Sequence, residues 1–78
     1  MRRDELIHTI QSSEKVYAEI GDRCARVEPE PDGRYCLKAW WRGIPIQGDT
    51  DVSYFTDIEA LLQAMQSEVP LTYWIEVD

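Results

Sequence analysis

Residues 43 to 78 contain no lysine and no arginine. All eight bases of the chain (Arg2, Arg3, Lys15, Arg23, Arg26, Arg34, Lys38, Arg42) lie in residues 1 to 42, where eight acids cancel them. The net charge of -7 therefore belongs to the second half, to Asp49, Asp51, Asp57, Glu59, Glu68, Glu76 and Asp78. Such a half disfavours nucleic acid and anionic membranes and favours a basic protein partner. Histidine is nearly absent too: His8 is alone, and with only Cys24 and Cys36 beside it there is no Cys-X-X-Cys, HEXXH, P-loop or Gly-X-Gly-X-X-Gly. No cofactor and no metal site is expected. No apolar run approaches the ~20 residues that span a bilayer. The opening "MRRDELIHTIQSSEK" is broken by charge where a signal peptide would be apolar. The expectation is a cytoplasmic protein with no membrane segment.

What is present argues for a folded core. Three Trp, four Tyr and 44% hydrophobic residues in a 78-residue chain fit one compact domain, 1-78. A core of this size makes a deep substrate pocket costly, which favours a binding protein over an enzyme. In "RRDELIHTIQSS", Leu6, Ile7 and Ile10 stand at helical spacing behind Asp4 and Glu5, predicting a helix over about residues 2 to 12. "KVYAEI-GD-RCARVE" reads as two strands around a two-residue Gly-Asp turn, which sets residue 20 opposite 23, 18 opposite 25 and 16 opposite 27. Val16, Ala18, Ile20, Ala25 and Val27 then share the core face. After the loop "PEPDG", the strand "RYCLKAWW" is expected to pair with Glu28 opposite Arg34, Val27 opposite Tyr35, Ala25 opposite Leu37, Arg26 opposite Cys36 and Cys24 opposite Lys38. This predicts an exposed row of Lys15, Glu28 and Arg34. It sends Trp41 inward with Tyr35, Leu37 and Ala39, and Trp40 outward.

"GIPIQGDTD" reads as a long loop, and its Asp49 and Asp51 as turn chemistry rather than cation ligands. "VSYF" follows as a short strand or an extended entry to a helix. "TDIEALLQAMQSEVP" signals a helix, with Thr56 and Glu59 in capping-box spacing and Ile58, Leu61, Leu62 and Met65 on one face; Pro70 ends it. The alternation in "LTYWIEV" predicts a last strand with Leu71, Tyr73, Ile75 and Val77 inward and Trp74 outward. The fold expected is α+β in two layers: an antiparallel β-meander plus a C-terminal strand, with both helices packed on one sheet face, in the order α-β-β-β-(β)-α-β. The helix, three-strand, helix order is similar to the topology of double-stranded RNA-binding domains. Those use a basic second helix for RNA phosphates, whereas this one carries Asp57, Glu59 and Glu68 and no base.

Two candidate surfaces follow. The outer sheet face gathers Tyr17, Trp40 and Trp74 among Arg26, Arg34, Lys38 and Arg42, an aromatic and arginine mixture enriched at protein interfaces and able to stack single-stranded bases. The acids Asp49, Asp51, Asp57, Glu59 and Glu68 form the other, suited to a basic protein. The functional expectation is a small, acidic, non-catalytic protein-interaction module, a regulator or inhibitor of a basic protein. The alternatives are a small-molecule site and single-stranded nucleic acid on the outer face. A second copy of the chain is a further partner, because strand 34 to 41 would be an open edge unless the last strand covers it. Cys24 and Cys36, set diagonally, are expected to remain reduced.

Overall fold

A computed structural model of the chain describes residues 1-43 and 50-77. Helix α1 (Arg3–Gln11) is followed by strands β1 (Val16–Ile20), β2 (Arg23–Pro29), β3 (Tyr35–Trp41) and β4 (Asp51–Phe55). Helix α2 (Ile58–Glu68), a 3-10 turn (Leu71–Tyr73) and the short strand β5 (Ile75–Glu76) complete the chain. All strand pairs are antiparallel, in the order β4-β3-β2-β1-β5. Strands β1 to β4 form a meander, and α2 crosses the whole sheet to deliver β5 beside β1. The result is the two-layer α+β fold expected, with both helices on one face.

The core explains this layering. Val16, Ala18, Ala25, Val27, Leu37 and Ala39, alternate residues of three neighbouring strands, meet Leu6 and Ile10 of α1 and Leu61, Leu62 and Met65 of α2 in a single buried cluster. Helix α2 starts one residue later than the capping-box spacing predicts. Asp57, not Thr56, is the N-cap, its carboxylate accepting from the Ala60 N–H at 3.3 Å.

The first hairpin has the expected register, Val16 opposite Val27 through Ile20 opposite Arg23. The second is shifted by two residues: Val27 faces Leu37, Arg26 faces Lys38, Glu28 faces Cys36 and Cys24 faces Trp40. The cause is the turn. Glu30 pairs with Arg34, leaving only Pro31, Asp32 and Gly33 in the loop, with the Glu30 N–H bonded to the Arg34 carbonyl at 2.8 Å and the Gly33 N–H to the Glu30 carbonyl at 3.0 Å. Gly33 takes a φ of +90°, which a side chain rarely tolerates. Because the shift is even, every residue keeps its face. The row of Lys15, Glu28 and Arg34 does not form: Glu28 pairs with Arg26 and Arg34 with Asp32.

Two tryptophans depart from expectation. Trp74 is fully buried, with its indole N–H donating to the Val69 carbonyl at 3.0 Å. The 3-10 turn after Pro70 interrupts the alternation, so Ile75 falls opposite Tyr17 on the outer face, 57% exposed, and Trp74 enters the core in its place. Trp41 lies on the helix side but at the very end of β3, where the guanidinium of Arg23 covers it at 4.8 Å instead of a helix; it is 49% exposed. Trp40 faces outward as expected and is half-buried there beside Tyr17. Strand β3 is not an edge, since β4 pairs along it from Tyr35–Phe55 to Ala39–Asp51. The amino group of Met1 donates to the carbonyls of Thr72 at 3.1 Å and Trp74 at 2.9 Å, tying the start of α1 to the last turn.

Candidate interaction surface

The sheet has two faces and the helices cover one. Strand alternation decides which side chains remain on the other. One row crosses all five strands in register: Ile75 on β5, Tyr17 on β1, Arg26 on β2, Lys38 on β3 and Val52 on β4. A second row runs Glu19, Cys24, Trp40, and a third Glu28, Cys36, Tyr54. No element among the described residues lies over them. Val52, Tyr54 and Ile75 are large apolar groups in solvent, and Trp40 sits beside Tyr17 with ring centroids 6.3 Å apart.

Hydrogen bonds fix this face. The Tyr17 hydroxyl donates to Glu19 Oε2 at 2.8 Å, and Arg42 bonds the same carboxylate. Glu19 is consequently held below the usual carboxylate range, by the Tyr17 hydroxyl first and Arg42 second. The Tyr17 phenol is pushed up to about 12, chiefly by burial and then by its bonds to Cys24 and Glu19. Arg26 pairs with Glu28 at 3.1 Å, while its Nε is buried without a partner among the described residues. Arg34 bonds Asp32 at 2.7 Å and lies 4.4 Å from the centre of the Tyr54 ring. Lys38 makes no ion pair among the described residues.

Both cysteines are buried under these larger neighbours and are free. Cys24 sits at the β2 position opposite Trp40 and Cys36 faces Glu28, an offset of four residues, or ~13 Å along the strand, beyond disulfide reach. Burial pushes the Cys36 thiol up. His8 stands exposed on α1, across the sheet from both thiols.

The expected site residues therefore divide. Tyr17, Arg26, Lys38 and Trp40 come together on the outer face, with Arg34 and Arg42 at its two ends. Trp74 does not join them. The acids lie elsewhere and most are engaged: Glu59 pairs with Arg3, Glu68 with Arg23 at 2.6 Å and Asp51 with Arg23 at 3.1 Å, while Asp57 caps α2. The charge imbalance along the sequence is thus partly cancelled in space, bases of the first half reaching acids of the second. Asp49 lies outside the described residues. Sequence reasoning missed Val52, Tyr54 and Ile75; the alternation in "DVSYF" would have supplied the first two once that segment was taken as a partner of β3.

Beside α2 an open depression of about 440 Å³ is lined by Gln63, Gln66 and Ser67, amides and a hydroxyl without an ionisable group. No group of metal-binding side chains occurs among the described residues, and none of their helices is long and apolar enough to cross a membrane. Comparison of the chain with protein-family models, with curated proteins and with solved structures gives no match.

Proposed function

We propose that the chain is a non-catalytic protein-interaction module and that the uncovered sheet face is its contact surface. The observation that carries this reading is the combination of exposed apolar groups, Val52, Tyr54 and Ile75, with cations that already have carboxylate partners. An apolar patch with aromatic neighbours on a rigid sheet suits a protein surface. Nucleic acid binding would instead need several free cations to replace counterions on phosphates. Here Arg26, Arg34 and Arg42 are held by Glu28, Asp32 and Glu19, which leaves Lys38 as the unpaired cation on the described strands of this face. The partner presents apolar side chains to this face, and its affinity responds weakly to salt. The sequence-based alternative, a basic partner on the acidic half, is less well supported, because Asp51, Glu59 and Glu68 are occupied by Arg23 and Arg3. The module works in the cytoplasm in this reading, in keeping with two free buried thiols.

The test compares wild type with a Val52→Asp, Ile75→Asp double variant in affinity capture from the source cells, at low and at high salt. One protein retained by wild type at both salt concentrations and lost from the folded variant is expected. Binding to a single-stranded oligonucleotide that falls steeply with salt would refute the reading in favour of nucleic acid.

A further inference from the structure

Strand β4 is the last strand on its side of the sheet, and the direction of its backbone groups can be worked out. The Arg34 carbonyl accepts from the Glu30 N–H at 2.8 Å, and the Arg42 N–H donates to the Asp22 carbonyl at 2.7 Å. Even-numbered positions of the β3 segment therefore bond toward β2. In an antiparallel ladder the odd ones must bond the other way, so Tyr35, Leu37 and Ala39 exchange hydrogen bonds with Phe55, Ser53 and Asp51. Val52 and Tyr54 then point both their N–H and C=O groups away from the sheet, and no strand among the described residues meets them.

Open edges are usually blunted by lysine, proline, a bulge or a covering element. The other edge, β5, is blunted by being only two residues long. Strand β4 reads Asp-Val-Ser-Tyr-Phe, with no lysine, proline or glycine, and both outward-bonding residues carry exposed apolar side chains. Self-pairing also satisfies it. An antiparallel copy related by a two-fold axis at Ser53 sets Val52 opposite Tyr54 and Asp51 opposite Phe55. All the free groups of Val52 and Tyr54 are then bonded reciprocally, each Val52 forms a favourable β-branched and aromatic cross-strand pair, and no acid faces an acid. The acid and apolar positions of this strand are thus complementary to their own inverse.

We infer that β4 is a homodimerisation edge, joining two copies into one continuous sheet through the Val52–Tyr54 register. Five residues span only ~17 Å, so the interface is smaller than the ~800 Å² per partner of a standard stable complex. The dimer accordingly forms reversibly and dissociates on dilution. Its outer face is twice as wide, but the pairing does not depend on that face having a foreign partner.

Sedimentation equilibrium over a concentration series tests this. Wild type should rise from the mass of one chain toward two. V52K/Y54K sets lysine opposite lysine across the axis and should remain at one, whereas V52K/Y54E sets lysine opposite glutamate and should regain the dimer. Val52→Pro removes an outward N–H without touching the β3 ladder and should also stay monomeric; if it fails to fold, the charge pair still decides. Wild type at one mass throughout, a dimer unaffected by V52K/Y54K, or no recovery in a folded V52K/Y54E would overturn the inference.

Discussion

Replacing Trp74 with phenylalanine separates the buried reading of this residue from the outward one that sequence alternation suggests. The Val69 carbonyl loses the indole N–H bonded to it at 3.0 Å, and a buried acceptor left unsatisfied costs ~1–3 kcal/mol. The smaller ring also leaves a void. At ~24 cal/mol per Å³, ~40 Å³ of unfilled space adds ~1 kcal/mol. The total, ~2–4 kcal/mol, is a large part of the ~4–12 kcal/mol expected for a domain of this length. It should lower Tm by at least ~8 °C, since each kcal/mol shifts a small domain by ~4–8 °C. Urea unfolding followed by far-ultraviolet circular dichroism measures it, with the slope of the transition unchanged. Trp41→Phe, at a half-exposed ring, should stay within ~0.5 kcal/mol of wild type. A Trp74→Phe protein as stable as wild type, or a Trp41→Phe protein that is less stable than Trp74→Phe, would show that Trp74 is not the buried, hydrogen-bonded indole.

The Tyr17 phenol, pushed up to about 12 from an ordinary value of ~10, should ionise in a distinct late phase of an alkaline absorbance titration, and Tyr17→Phe should remove that phase. Its folded pKa is raised, so its contribution to stability is complete below pH ~10 and is lost as pH rises through 12; unfolding midpoints that are flat across that window would contradict this. Arg23→Met strands Glu68 and Asp51 without their shared cation and should cost ~1–3 kcal/mol in urea unfolding, between exposed and buried pairs. Arg23→Lys should restore part of that, because an ammonium lacks the guanidinium fork; a neutral Arg23→Met would show the clamp to be idle. Cys24 and Cys36 should react with a thiol reagent slowly in the folded protein and fast in urea, and oxidation should yield no intramolecular disulfide. Fast labelling of native Cys36 would contradict its burial.

The parts legible in sequence were those fixed locally. The Gly21–Asp22 turn admits one closure, so the β1 and β2 register could be read directly. "PEPDG" admits a five-residue or a three-residue loop, and nothing nearby decides between them, so the pairing expected from sequence lies two residues out of step with the observed one. The error left both faces intact because side chains alternate with period two. The C-terminal segment failed differently. Its alternation is real, but Pro70 starts a 3-10 turn that resets the phase, and the larger indole of Trp74 takes the core position that Ile75 was expected to fill. The outer face was readable from Tyr17 to Trp40, whereas its extension by Val52, Tyr54 and Ile75 depended on which strands flank the meander. The pairing of Glu59 with Arg3 and of Glu68 with Arg23 joins residues far apart in the chain, and charge counted along the sequence cannot anticipate it.

The contact of β5 with β1, and of the Met1 amino group with the carbonyls of Thr72 and Trp74, has a meaning in time as well as in space. The hairpins of the meander close over short loops and can form while the chain is still being made. Strand β1 must then wait with one edge open, and the core with a vacancy the size of an indole, until the residues that fill them leave the ribosome. A nascent chain short of Trp74 is therefore a sheet with an unprotected inner strand, the condition in which strands join the wrong neighbour. Residues 72 to 76 act as the closure of the fold, and Met1 is fastened to them.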